Sequence, residues 1–173
     1  CQELYTCPEV FAYLYRDTDM SITIRDQKLT LSRQSDGSYR YSSQSWWPLA
    51  SLGFKASGYT PTESYQGLFT SEFQSYFKYQ GNETLTFSGD DDVWVFFNRR
   101  LGVDVGGIHP AWEREITLDE KTAAEQFHMF PGGIYSLNMF HAERCLGGSS
   151  FRLTLAGFVS MGTSTCASVC GDG

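Results

Sequence analysis

The sequence predicts an all-β fold, a β-sandwich or barrel with long loops and little helix. Aromatic residues make up 16% of the chain, with 13 Phe and 10 Tyr, and 17 glycines accompany them. This mixture is typical of twisted sheets joined by tight turns. Many short apolar or alternating segments, spaced by about 8 to 12 residues, favour a sandwich or barrel.

The clearest element is residues 93–97, five consecutive large apolar residues that predict a strand buried on both faces. Helix formers occur only in residues 117–130, where a single short helical turn is expected. Turns are predicted at 35–37 and 131–133, and a long surface connection at 53–65. The other predicted strands are an edge strand around Phe11, Tyr13 and Tyr15, two short strands in 21–32 joined by a turn at 25–28, and strands in 65–79, 84–88, 101–105, 134–140 and 151–158.

The length of 173 residues predicts one compact domain. Its core is expected in residues 39–158, with an N-terminal extension of strands and cysteines in 1–38 and a cysteine-containing tail in 159–173. The net charge of −7 argues against nucleic-acid partners. No apolar run approaches the roughly 20 residues of a membrane helix, so no membrane insertion is expected. If the protein is secreted, the chain is expected to be a mature form or an excised part.

Four of the five cysteines lie near the ends of the chain, which predicts a secreted or cell-surface protein. Cys1, Cys7, Cys166 and Cys170 are the candidates for disulfide bonds, because chain ends usually lie at the surface and often close together. Spacing leaves the pairing open, and Cys145 is the expected odd cysteine. The alternative is zinc, but C-x5-C and C-x3-C spacings lack the paired knuckles of structural zinc modules.

Three consecutive carboxylates, Asp90, Asp91 and Asp92, directly precede the buried strand. At about 4 Å and an effective dielectric of about 20, each close pair repels by roughly 4 kcal/mol, so a compensating cation is expected. Hard oxygen ligands at this density suit Ca²⁺. The alternative is a solvated turn that caps the strand, since Asp favours turns and Gly89 precedes the cluster.

Histidines do not form a recognisable catalytic pattern in this chain. His109 and His141 with Glu143 suggest a metallohydrolase, but the H-E-x-x-H spacing is missing, and no Ser-His-Asp arrangement is recognisable. The sequence therefore predicts a protein that is not an enzyme. His109 instead follows two glycines that let the backbone approach closely, and it is a candidate to line the calcium site. Trp112 could stack on a sugar ring.

A set of motifs in a fixed order resembles the fibro-slime domain, a branch of the PA14 superfamily. The motifs are WWPL at 46–49, FTSE at 69–72, LTFSGDDDVWVF at 85–96, VDVGGIH at 103–109, FHAER at 140–144 and GSSFR at 148–152. The resemblance covers residues 39–156. It implies a PA14-type β-sandwich on extracellular or surface proteins of bacteria and some protists.

The resemblance also implies a calcium site. In glycan-binding PA14 members, two adjacent Asp residues joined by a cis peptide hold Ca²⁺, and sugar hydroxyls complete its shell. The matching pair is Asp90 and Asp91, and a second loop that supplies oxygens corresponds to residues 143–149. Asp92 stands where those lectins usually have a small residue. The candidate ligand-binding residues are His109, Glu143, Cys145, Leu146 and Gly147.

Two function hypotheses follow. The first is a secreted or surface-displayed module for adhesion that binds a glycan or polysaccharide through calcium. The second is a structural subunit of an extracellular fibre or matrix, whose partners are copies of itself or other extracellular proteins; the odd number of cysteines favours it. A polysaccharide-degrading enzyme has the least support, because no carboxylate pair can be placed across a cleft from the sequence.

Overall fold

The computed structural model describes residues 11–12, 14–16, 23–49, 69–144 and 148–160, which form two antiparallel sheets packed as a sandwich. The strands are β1 (Ser32–Arg33), β2 (Tyr39–Ser43), β3 (Phe69–Lys78), β4 (Asn82–Gly89), β5 (Asp92–Phe97), β6 (Arg100–Val105), β7 (Trp112–Asp119), β8 (Ile134–Glu143), β9 (Phe151–Ala156) and β10 (Val159–Ser160). Sheet I has the order β1-β2-β9-β4-β7, and sheet II has the order β10-β3-β8-β5-β6. The prediction of an all-β sandwich is confirmed.

Three connections between the two sheets meet at one end of the sandwich. The register pairs Asp92 with Ala142 in sheet II, and it pairs Gly89 with both Phe151 and Trp112 in sheet I. The β4–β5, β6–β7 and β8–β9 connections therefore leave their strands at the same end. We call this the acidic end, because it holds the three consecutive aspartates.

The facing surfaces of the sheets form the core. Val93, Val95 and Phe97 of β5 and Leu85 and Phe87 of β4 all have no exposed surface. Their spacing of two residues places each set on one side of its strand. Each such side chain contributes about 1.5 to 3 kcal/mol by leaving water. The predicted buried strand at 93–97 is thus confirmed.

Residues 11–12 and 14–16 lie in a helical turn, so the predicted edge strand is wrong for the described part of this segment. The Tyr15 N–H donates to the Phe11 carbonyl at 3.3 Å, the spacing of an α-helix. Both rings pack on Phe140 on the outer face of sheet II, with centroids 5.3 and 5.0 Å away, and Phe11 also packs on Trp94 at 5.0 Å. Aromatic residues at every second position suit a strand, but the two four residues apart also share a helix face. Tyr13 lies outside the described residues.

The two strands predicted in residues 21–32 are also wrong for the part of that segment that the structure describes. Only β1 is paired in a sheet, through its two residues to β2. The φ of 61° at Asp26 fits the turn expected at residues 25–28, but Ile24 before it is 36% exposed and lies in no strand. Alternating residues produce a strand only where a neighbouring strand accepts their backbone hydrogen bonds.

β7 is an edge strand that the sequence pattern does not predict. It pairs with β4 along its whole length, from Trp112 to Asp119. Three consecutive charged residues, Glu113, Arg114 and Glu115, interrupt the alternation of apolar and polar residues that would predict a strand. Charged side chains are common on edge strands because they oppose aggregation. A short α-helix (Glu120–Thr122) and a π-helical turn (Ala123–Phe127) follow, as the expected short helical segment. Within the described residues, no helix is long and apolar enough to cross a membrane.

Candidate functional site

Asp90 and Asp91 form the connection through which the chain passes from sheet I to sheet II. β4 ends at Gly89 and β5 begins at Asp92, so the two acids bridge the sheets. Asp91 has a φ of 60°, a left-handed conformation that Asp tolerates better than most residues. No cis peptide bond occurs among the described residues, so the cis bond implied by the resemblance is not found between the two acids.

Both acids bind the β8–β9 connection. The Oδ1 atom of Asp90 accepts hydrogen bonds from the Ser150 backbone N–H at 2.6 Å and from its hydroxyl at 3.0 Å. The Oδ2 atom of Asp91 accepts from the Arg144 N–H at 2.7 Å. The two carboxylates therefore hold the two ends of this connection, and the structure brings Asp90 and Asp91 against the loop that the resemblance implied.

Asp92 is held differently. It has no exposed surface, and its Oδ1 atom accepts from the Gly107 N–H at 2.7 Å. Its Oδ2 atom forms an ion pair with Arg144 Nε at 2.5 Å, and the Arg144 side chain is only 10% exposed. Gly107 has a φ of 108°, a conformation that favours glycine. Asp92 thus links the β6–β7 connection to the β8–β9 connection through a buried ion pair.

Asp90 and Asp91 keep carboxylate oxygens that described residues do not use. Their hydrogen-bond donors are neutral N–H and O–H groups, whereas Asp92 and Arg144 offset each other's charge. Neither Asp90 Oδ2 nor Asp91 Oδ1 makes a hydrogen bond to a described residue. Two adjacent carboxylates suit a divalent cation, and carboxylate oxygens are what Ca²⁺ prefers.

The described residues contain no group of three or more His, Cys, Asp or Glu side chains that could hold a metal ion. Main-chain carbonyls, hydroxyls and water can complete the shell of a calcium ion at Asp90 and Asp91. Such mixed oxygen shells are usual for calcium. The donor set fits calcium and does not fit zinc, which prefers nitrogen and sulfur.

Gly89 allows the β8–β9 connection to reach the acids. A Cβ atom at this position would lie 2.6 Å from the Ser150 carbonyl oxygen and 2.6 Å from the Phe87 ring. Both distances are far below van der Waals contact, so a larger residue would push the connection away. The glycine before the acid cluster is thus required by close packing, which sets the position of Ser150 against Asp90.

His109 lies in the β6–β7 connection, stacked on Trp112. The two rings are 4.3 Å apart and tilted by 4°. The His109 Nδ1 atom lies 2.8 Å from the Pro110 carbonyl oxygen. The Arg114 guanidinium lies 5.5 Å from the centre of the Trp112 ring. Because Trp112 pairs with Gly89, this stack of planar groups stands beside Asp90.

The remaining site candidates divide into a described and an undescribed group. Glu143, the last residue of β8, is buried and directly precedes Arg144. The other candidates, namely Cys145, Leu146 and Gly147 and the disulfide candidates Cys1, Cys7, Cys166 and Cys170, lie outside the described residues.

His141 is a buried neutral histidine behind the acidic end. Its ring packs against Trp46, Phe69 and Phe151, with centroids 4.8, 5.7 and 5.6 Å away. Neither ring nitrogen has a hydrogen-bond partner among the described residues. Burial disfavours the imidazolium form and lowers the pKa of His141 to about 3. His141 is therefore an uncharged core residue at neutral pH.

Ser150 and the pairing of Arg144 with Asp92 complete the site, and the sequence does not single them out for these contacts. The signal for both was present in the FHAER and GSSFR motifs, which lie on either side of the loop. The order of the motifs indicates that these residues lie close together, but it does not indicate which atoms are in contact. Partner choice depends on the register of β8 against β5, which the sequence does not state.

Similar curated proteins come from Dictyostelium discoideum. Protein psiD is 40% identical over 120 residues, which cover 67% of this chain and 23% of psiD. Protein psiC is 34% identical over 117 residues, covering 65% of this chain and 22% of psiC. Protein psiK is 30% identical over 166 residues, covering 84% of this chain and 22% of psiK. The chain thus spans under a quarter of the length of these relatives. No family model matches the chain, and no solved structure matches it.

Proposed function

We propose that this chain is a secreted or cell-surface module of the fibro-slime and PA14 type that binds a glycan or polysaccharide through calcium and acts in adhesion. The observation that carries the proposal is the Asp90–Asp91 pair at the passage between the sheets. Each acid uses one oxygen to hold the β8–β9 connection, and the other oxygen has no hydrogen bond to a described residue.

In this proposal, Asp90 and Asp91 hold calcium, with loop carbonyls around Cys145, Leu146 and Gly147 as further ligands. Calcium, when bound, supplies coordination positions that two neighbouring hydroxyls of a sugar can fill by displacing water. Asp92 and Arg144 hold the two flanking connections in place. The proposal assigns this end of the sandwich to binding and not to catalysis, since the carboxylates are adjacent rather than placed across a cleft.

The stack of His109, Trp112 and Arg114 supports a saccharide as the ligand. Trp112 is 45% exposed, although it lies on the same side of sheet I as the core residues. Planar aromatic groups beside polar ligands are typical of sites that bind amphipathic rings. The stack would position a planar surface next to the cation, so one sugar would contact both.

A glycan array read with calcium and with EDTA tests this proposal. Sugar signals are expected with calcium, and they should disappear with EDTA and in Asp90→Asn and Asp91→Asn. Asp104→Asn is the matched control, because Asp104 is an exposed acid on the neighbouring strand β6 and should leave the signals unchanged. Signals that persist in EDTA would contradict the role of calcium.

The second candidate function is a structural subunit of an extracellular fibre or matrix. The odd number of cysteines favours it, because at least one thiol cannot pair within the chain. A blank glycan array together with ordered polymers in the electron microscope would support this function over the first. Oligomers that dissociate under reducing agent would identify the linking bond as a disulfide.

A further inference from the structure

We propose that the outer face of sheet II carries a second binding site, a cleft that takes an acidic polysaccharide without calcium. The cleft has a volume of about 770 Å³ and lies over strands β3, β8 and β5, beside the β5–β6 hairpin. We call it the outer cleft. It goes beyond the proposed calcium-dependent function, because the hairpin lies at the opposite end of β5 from Asp92.

The floor of the outer cleft combines amides with aromatic rings. Gln74 pairs in register with Asn138, which in turn pairs with Phe96, so the three side chains form a row across β3, β8 and β5. Two residues further along β3, on the same face, Tyr76 pairs with Ser136. Neighbouring strands lie about 4.8 Å apart, so side chains paired across them can contact one ligand together. Amides can donate to and accept from those hydroxyls, while the rings contact the apolar face of the sugar.

The rim of the outer cleft is basic. Arg99 and Arg100 line it together with His128, and all three are exposed. No carboxylate lines the cleft, although the chain as a whole has a net charge of −7. Two ion pairs occur among the described residues, and neither uses these arginines. Guanidinium groups bind carboxylates and sulfates through paired hydrogen bonds, so the rim complements an acidic ligand.

The backbone gives a separate reason to assign a role to these basic side chains. Arg99 has a φ of 65° and His128 a φ of 53°, both in the left-handed region. Glycine is preferred at such positions, in the second place of a two-residue hairpin and after a helix, because a Cβ atom there costs about 1 kcal/mol. Asn98, which also lines the cleft, has a φ of 49°, and Asn and His adopt this conformation more readily than most residues. Arg99 is therefore the position where a basic side chain is kept at a cost, as is expected where the side chain binds a ligand.

A saccharide is favoured over other acidic ligands by the floor rather than by the rim. A nucleic acid would have to approach a chain of strongly negative net charge. An acidic peptide would pair with an exposed strand edge, whereas the centre of the outer cleft lies on the face of β8 and β5, which are both paired on both sides. Amides and rings that are exposed, as in Gln74 and Tyr76, or half-buried, as in Asn138, suit a chain of acidic sugars below a basic rim.

Calorimetric titration in EDTA tests the outer cleft independently of the calcium site. The probes are polygalacturonate, dextran sulfate, neutral dextran and polyglutamate at 50 mM salt, a condition of about 14 Å screening length. We expect binding of an acidic polysaccharide, weakened about tenfold or more in the Arg99→Gly, Arg100→Gln double variant. Arg33→Gln removes a charge from exposed strand β1 and should bind as the unmodified chain does.

Each outcome has a definite meaning. Preference for polygalacturonate or for dextran sulfate supports the proposal and identifies the acidic group as carboxylate or sulfate. Equal binding of neutral dextran or of polyglutamate overturns it, as does unchanged affinity in the double variant. Binding of no acidic polymer also overturns it and leaves the calcium-dependent proposal unaffected, since that one is read only with calcium present.

Discussion

Charged residues of opposite sign lie at the two ends of strand β5, and they differ in burial and in ion pairing. At its beginning, Asp92 is buried, paired with Arg144 and bound to the backbone of a second connection. Beyond its end, Arg99 and Arg100 are exposed and form no ion pair with a described residue. The six residues of β5 span about 20 Å, more than the roughly 8 to 10 Å over which salt screens charges, so the two ends act independently.

The charge of Asp92 therefore supports the fold, whereas the charges of Arg99 and Arg100 are available for a ligand. Removing a buried paired charge leaves its partner without compensation, which is costly. Removing an exposed charge changes stability little.

The largest effect is expected from Asp92→Ala. The substitution takes the Asp92 carboxylate away from the Arg144 side chain, which is only 10% exposed, and removes the acceptor of the Gly107 N–H. We expect a loss of about 3 to 5 kcal/mol in the free energy of unfolding, measured by urea denaturation in EDTA.

The matched control for Asp92→Ala is the exposed pair of Arg152 with Glu113, at 2.7 Å, whose side chains are 43% and 58% exposed. Glu113→Ala should cost less than about 1 kcal/mol. Similar losses in the two variants would contradict the contrast between buried and exposed charge.

The second effect is a loss of stability at acidic pH caused by His141. Burial lowers its pKa to about 3, whereas the unfolded chain takes up the proton near the ordinary value of about 6.5. The unfolded state therefore binds more protons between these two values, and stability falls as the pH drops below about 6.5. Between pH 7 and pH 5 the loss from His141 should be roughly 2 kcal/mol. Chemical denaturation of the chain and of His141→Leu measures this difference, and an identical pH slope in both would count against it.

Gly89→Ala should produce an intermediate effect. The added Cβ atom would lie 2.6 Å from the Ser150 carbonyl oxygen, so the β8–β9 connection must shift. We expect a loss of about 1 to 3 kcal/mol, as for other overpacked sites, measured as a lower denaturation midpoint. Gly148→Ala in the same connection is the control, because a Cβ atom there meets nothing within 4 Å. Equal stability of the two variants would mean that the connection does not need the close approach.

Arg99→Gly should have the smallest effect and the opposite sign. Glycine adopts the φ of 65° without strain, so a gain of roughly 0.5 to 1 kcal/mol is expected. Arg99→Ala removes the same charge but keeps the Cβ atom, so it should not stabilise the chain. Thermal unfolding of both variants makes the comparison, and a gain in Arg99→Ala as large as in Arg99→Gly would show that charge, not backbone, sets the effect.

The strands that the sequence predicts correctly are those with a strong local signal. Residues 93–97 are apolar without a break, and glycine turns at 35–37 and 131–133 are where the structure has them. β7 is missed because its charged residues mask the alternation of an edge strand. The helical turn at 11–16 is missed because its aromatic spacing suits both structures, and only contact with Phe140 decides between them.

The acid cluster and its loop could be predicted from the sequence, but the contacts between them could not. The motif order brings Asp90, Asp91 and residues 143–149 together. The ion pair of Asp92 with Arg144 depends on which residues of β8 face β5, and this register is a long-range property. The sequence does not predict the outer cleft for the same reason, since the floor of the cleft comes from three strands that are far apart in the sequence.

Melting of the EDTA-treated chain with and without added calcium tests the Asp90–Asp91 site most directly. At about a hundredfold excess over the dissociation constant, calcium should stabilise the fold by about 2.7 kcal/mol and raise Tm by roughly 5 to 10 °C. The rise should vanish in Asp90→Asn and Asp91→Asn and persist in Asp104→Asn. A calcium site at these two acids would be contradicted if added calcium left the Tm of the unmodified chain unchanged. It would also be contradicted if calcium raised the Tm of the Asp90 and Asp91 variants equally.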